Sequence, residues 1–225
     1  MDSPKNELPD FDSFWNYDDP AGTEARFREL LPKARESGNM EYLAELLTQI
    51  ARSQGLQQKY AEAGATLNEA AELIKPDMKR AQVRLLLERG RSLNSSGKPQ
   101  ESQPLFKEAL STARQAGLEF YAIDAAHMLG IVTKAEESLD WNREAIRLAE
   151  AAKEPRARRW LGSLYNNTGW TYSGMGRYDD ALKMHFARAW ELLHNDPWLK
   201  QDEPQRLERL KTLGGLSCGY CRFLQ

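Results

Sequence analysis

Cysteine is almost absent. The 225 residues include two, Cys218 and Cys221, close together near the C-terminus. One such pair cannot staple a fold of this size, so the expected setting is reducing and cytoplasmic. An excess of positive charge is missing too: 31 Lys and Arg face 33 Asp and Glu, a formal net charge of −2. A dedicated nucleic-acid binder needs a basic excess to neutralise phosphates, so that class is disfavoured. No run approaches the roughly 18 apolar residues of a membrane span. The opening MDSPKNELPDFD is acidic and polar, the opposite of a signal peptide.

Catalytic and metal-binding patterns are lacking as well. CGYC (218–221) is half of a zinc site, and His127, His185 and His194 show no ligand spacing. A redox C-x2-C belongs in a βαβ setting that this sequence does not offer, which leaves two ordinary thiols. GMGRYD is glycine-rich but lacks the strand that a phosphate-binding loop requires. Asp124 precedes His127 by three residues without an identifiable nucleophile, so the two read as a helical surface pair. The basic run KEPRARRW (153–160) reads as a solvated stretch. Nothing points to an enzyme, a metal or a cofactor.

What is present is helix. Hydrophobic residues make up 41% and charged residues 28%, and from about Pro20 onward long helix-compatible segments dominate. They also repeat. Gly169 follows Gly130 by 39 residues, Gly130 follows Gly90 by 40, and Gly90 follows Ala51 by 39. Each small residue is followed by a second set, small–large–small: Ala63, Leu67 and Ala70, then Ser102, Phe106 and Ala109. FRELLPKARESG (27–38) matches FKEALSTARQAG (106–117) at two periods. Small residues let paired helices approach, and bulky ones fill the space between neighbours. One unit cannot bury its apolar face alone, so several must stack. Turns are expected near 55–59, 95–99, 133–137 and 174–178.

Gly169, Tyr172, Gly176, Tyr178 and Ala181, with Gly90, Leu93, Gly97, Ser102, Phe106 and Ala109, resemble the tetratricopeptide repeat family over roughly residues 21–195. The period exceeds that family's usual ~34 residues. The longer unit and the Asn166-Asn167 pair look most like the kinesin light chain type. The resemblance implies an all-α superhelix (solenoid) of helix-turn-helix repeats with a 39–40 residue period. Three departures stand out. Gly130 to Ser138 is four residues short, which makes KAEES a shortened turn. Ala181 is followed by Phe186 one residue late, so a bulge, a shift or a break is needed near His185. Asn142 stands where a large apolar residue belongs, and the neighbouring Trp141 is expected to supply the volume.

Three segments result: an acidic-aromatic tail over 1–19, repeats over 20–195, and a C-terminal helix with an apolar tail over 196–225. In the tail six acids accompany Phe11, Phe14, Trp15 and Tyr17. Two readings are open: a disordered tail whose aromatics fold back to cap the first helix, or an acidic-aromatic peptide that binds a partner or its own groove. Asp19-Pro20 reads as a helix start. At the far end Leu207, Leu210 and Leu213 share a helical face, and Leu213-Gly214 reads as the opening of an incomplete fifth unit. Leu216, Tyr220, Phe223 and Leu224 would then need cover from a fold-back or from another copy, which makes self-assembly through that end the alternative function.

In the family resembled, the first helices of successive units line a concave groove. Projected onto this sequence, the groove holds Arg52, Arg84, Arg91, Asn94, His127, Lys134, Asn166 and Trp170, with Glu45 and Asp124 as its acids. The expected partner is a protein, docking an extended acidic or neutral peptide there. Asparagine amides pair with peptide backbone, Trp170 offers an apolar anchor, and no nucleic acid or membrane is involved.

Overall fold

The computed structural model describes residues 8–212. Among them there is no strand, and the helices follow one another along the chain. The chain divides into two compact units, 1–121 and 122–225.

The first unit holds α1 (Pro20–Glu36), α2 (Met40–Leu56), α3 (Tyr60–Leu73), α4 (Lys79–Ser95) and α5 (Pro99–Gln115). Asp19 caps α1 by accepting from the Gly22 N–H, with Pro20 in the first turn as expected. Helices pack on their sequence neighbours, and α2 also packs on α4. Phe27, Leu46, Ile50, Leu67 and Ala70 form a core with at most 2% of any side chain exposed.

Straddling the division is α6 (Glu119–Val132). The second unit continues with α7 (Ala135–Ala151), the short α8 (Pro155–Arg158), α9 (Trp160–Gly174) and α10 (Tyr178–Asp180). A π-helix over Ala181–Phe186 leads into α11 (Ala187–Leu193) and α12 (Pro197–Asp202). A last helix, α13, spans residues 204–212.

The turns inside three of the four pairs share one geometry. Gln58, Gly97 and Gly176 have φ of 62°, 85° and 75°. Behind each, the next N–H reaches back five residues: Lys59 to Gln54, Lys98 to Leu93, Arg177 to Tyr172, at 2.9–3.0 Å. This 6→1 bond closes the preceding helix and requires a left-handed residue, which explains two of the glycines. Gln58 adopts the same conformation with a side chain. In the third pair the turn is only Thr133 and Lys134, and α7 opens on Ala135 at φ 51°. The shortening therefore sits before KAEES is complete, and AEES is already helix.

Contacts between paired helices explain the small residues. A Cβ on Gly90 would come within 2.5 Å of the Phe106 ring, and one on Gly169 within 2.7 Å of the Phe186 ring. The equivalent contact of Gly130 is Asn142, whose Oδ1 would lie 2.5 Å from a Cβ. Asn142 thus occupies the large residue's place itself, 2% exposed and donating to Thr171 Oγ1 at 3.2 Å, while Trp141 is only half-buried beside it. The expectation that Trp141 replaces it is corrected: a buried amide stays where it has a partner. The late Phe186 is accommodated by the π-helix, whose i→i+5 pattern absorbs one extra residue. Phe186 and Ala189 are covered by Leu193, Leu199, Leu207 and Leu210. Leu213 onward, including Cys218, Cys221 and the expected fifth unit, lies outside the described residues.

Candidate functional site: a groove filled by the N-terminal segment

Helical spacing places Tyr42, Glu45, Gln49 and Arg52 on one face of α2, and Arg80, Arg84, Glu88 and Arg91 on one face of α4. Against these two faces runs the N-terminal segment. Asp10 accepts from the Asp12 N–H and starts a 310 turn over Phe11–Phe14. Phe11 is 5% exposed and meets the rings of Phe27 and Tyr42 edge-on, at 6.3 and 5.1 Å between centroids. Trp15 packs edge-on to Phe27 at 5.3 Å, stacks on Tyr17 at 4.8 Å and donates its Nε1–H to Gln49 Oε1 at 3.1 Å. The Tyr42 hydroxyl donates to the Pro9 carbonyl at 2.8 Å. Behind Tyr17 the chain is clasped to α1: Thr23 Oγ1 accepts from the Asn16 N–H at 3.1 Å and donates to the Asn16 carbonyl at 2.9 Å.

Arg84 is the electrostatic centre. It is 5% exposed, and its guanidinium grips both carboxylate oxygens of Asp12. The same group donates to the Tyr121 hydroxyl at 2.8 Å, lies 3.4 Å from Glu45 Oε2 and stands over the Phe11 ring at 5.2 Å. Burial works against its charge, but Tyr121, Asp12 and Glu45 more than offset this and hold its pKa above the ordinary arginine value. Glu45 is 2% exposed; burial pushes its carboxyl above the usual range despite Arg84 and Arg80 nearby. Arg52 lies over the Trp15 and Tyr17 rings at 5.7 and 5.6 Å, within cation–π reach.

The projected residues therefore separate. Arg52, Arg84 and Arg91 come together in the first unit, though not as bare cations: Glu88 Oε1 bonds Arg52 at 3.2 Å and Arg91 at 2.6 Å. Glu88 was not among the projected positions. Its spacing, four after Arg84 and three before Arg91, was the signal that places it on their face. Gln49 and Tyr42 were also unanticipated, as side chains that read the segment. Asn94 is half-buried near the end of α4.

In the second unit His127 packs against Trp160 at 5.2 Å, and Lys134 is exposed at the start of α7. Asn166 and Trp170 share a cavity of about 750 Å³ with Gln201–Arg206, Arg209 and Leu210, which neither His127 nor Lys134 lines. Among the described residues no group of three His, Cys, Asp or Glu is placed to hold a metal ion, and no helix is long and apolar enough to cross a membrane.

No family model matches the sequence, and no curated protein does. The fold is similar to that of BtubC (BKLC) from P. vanneervenii, a kinesin light chain-like protein, with a TM-score of 0.66 at 15% identity. The match covers 93% of this chain and 83% of that one. At that identity the likeness shows the fold alone: an all-α array of tetratricopeptide-like helix pairs.

Proposed function

We propose that the chain is a non-catalytic interaction scaffold whose first unit binds an extended acidic-aromatic peptide across α2 and α4. One observation carries this reading: the chain's own segment Phe11–Tyr17 lies there, with Asp12 on Arg84, Phe11 on Phe27 and Tyr42, and Trp15 beside Arg52 and Gln49. A surface that recognises this segment in cis defines its ligand: an acid flanked by aromatic anchors in an irregular backbone. The charge-assisted bond and the buried rings are the features that dominate interfaces. The tail over 1–19 then carries the resident occupant, with 20–195 as the array and 196–225 as its end. A cytoplasmic setting accords with the scarcity of cysteine, and a protein partner with the repeat fold.

The test uses a fluorescein-labelled peptide of residues 8–18 and the full chain carrying Phe11→Ala, Asp12→Ala and Trp15→Ala, which removes the resident anchors. The peptide binds this variant, and adding Arg84→Gln weakens it by about tenfold or more, the loss of a charge-assisted pair. Unchanged affinity in the Arg84→Gln background, with helicity intact, rejects the groove as the site.

A further inference from the structure

His185 belongs to the π-helix over Ala181–Phe186, and it is 9% exposed. Two rings of α9 cover it, Tyr172 at 4.9 Å and Tyr165 at 5.9 Å between centroids. Its Nδ1 is buried and has no hydrogen-bond partner among the described residues. We infer that His185 is a proton-operated latch: neutral, it holds the helix of residues 178–193 on α9, and protonated, it lets that helix go.

The surroundings suit a neutral ring and oppose a cation. An imidazolium donates from both nitrogens, and the buried Nδ1 would then carry an N–H with no acceptor. The polar groups around the ring are already engaged. From α9, the Tyr165 hydroxyl donates to Glu150 at 2.9 Å, and the Tyr172 hydroxyl accepts from Arg143 at 3.1 Å. From α7, Arg143 also bonds Asp140 at 3.1 Å and sets a positive charge beside the histidine. From α10, Asp180 favours the cation, but its carboxylate accepts from Arg177 at 2.8 Å, and Arg177 lies over the Tyr172 ring at 4.6 Å. Arg188 of α11 acts on Tyr165 and bonds Glu191 at 2.7 Å. Burial has the largest effect on the ring: it draws the pKa from 6.5 down to about 4, with Asp180 opposing and Arg143 adding.

The helix that the ring holds is irregular where it holds it. π-helices are rare and recur at functional sites, and this one keeps Phe186 on Gly169. Release of residues 178–193 would uncover Gly169 and Tyr172 on α9. Leu199, Leu207 and Leu210, which cover Phe186 and Ala189, would lose that support. Water then reaches His185, and its pKa returns to the ordinary value. The released form therefore binds the extra proton. The latch is closed most firmly above pH 6.5 and loosens as the pH falls towards 4. From pH 7 to pH 5 the released population rises by about twentyfold.

Hydrogen exchange of the full chain, followed by mass spectrometry at pH 7 and pH 5, tests this once corrected for the pH dependence of the chemical step. Protection over residues 181–193 is expected to fall by about twentyfold, while α2 and α4 of the first unit keep theirs. His185→Phe and His185→Gln, which carry no titrating ring, abolish the fall. His194→Gln, just beyond the end of α11, leaves it in place. The regional contrast in the parent chain decides the matter even where a replacement disturbs the packing. An unchanged protection over 181–193 overturns the inference, as does an equal fall in the first unit. A fall that survives both His185 replacements, or that His194→Gln removes, overturns it too.

Discussion

Phe186 lies against Gly169 as Phe106 lies against Gly90, although the chain between the first two is one residue longer. The hypothetical Cβ contacts are 2.7 and 2.5 Å, and the π-helix over Ala181–Phe186 takes up the difference. Packing has dictated the backbone here, since an α-helical register would rotate the ring away by about 100°.

Removing one residue from the π-helix, by deletion of Lys183, should therefore be tolerated. The remaining segment closes as α-helix with Phe186 still on Gly169. Thermal unfolding is expected to stay within about 1 kcal/mol of the parent, or 2–4 °C for a chain of this size. Deleting Gln103, which lies between Ser102 and Phe106 of α5, is the contrasting case. It turns Phe106 off Gly90, and a loss of about 3 kcal/mol or more is expected for a displaced core aromatic. Equal damage from both deletions would show that the π-helix is not a one-residue insertion.

Gln58 holds the left-handed turn position that Gly97 and Gly176 fill in the other pairs. Gln58→Gly relieves a side chain of a conformation it adopts at a cost, and is expected to stabilise by roughly 1 kcal/mol. The reciprocal Gly97→Ala is expected to destabilise by a similar amount. No atom would crowd its Cβ, so backbone conformation alone sets that cost. Urea midpoints at constant m-value decide both.

His185 sits 9% exposed between Tyr165 and Tyr172, its Nδ1 buried without a hydrogen-bond partner among the described residues. Burial pulls its pKa from 6.5 down to about 4; Asp180 opposes the shift and Arg143 adds to it. Between those values the unfolded chain binds the extra proton, so stability is lost as the pH falls through this window, at up to roughly 1 kcal/mol per pH unit. His185→Phe keeps a ring there without the titration. The variant's melting temperature should fall less than the parent's from pH 7 to pH 5. Parallel pH profiles would refute this assignment.

Much of the fold was legible because the repeat prints itself twice, once in the small residues at 51, 90, 130 and 169 and once in the turns. The irregularities were legible as arithmetic, but their resolution was not. A one-residue excess near His185 does not say whether the backbone bulges or breaks, and Asn142 among apolar neighbours suggested Trp141 as substitute until Thr171 appeared as its partner. In the candidate site, projection found Arg52, Arg84 and Arg91 but not the acids that meet them. Glu88 and the tail's Asp12 neutralise them, and pairings across 36 and 72 residues leave no local trace. The cavity beside Trp170 was invisible for the same reason: α12 and α13 close it from outside the repeat pattern.

The central claim is that the first-unit groove is a peptide site held by the chain's own Phe11–Tyr17. The most direct measurement compares the affinity of the labelled 8–18 peptide for the parent chain and for the Phe11→Ala, Asp12→Ala, Trp15→Ala variant by fluorescence anisotropy. Occupation in cis predicts binding to the parent weaker by about tenfold or more, because the resident segment must first leave. Equal affinity for the two chains would contradict it.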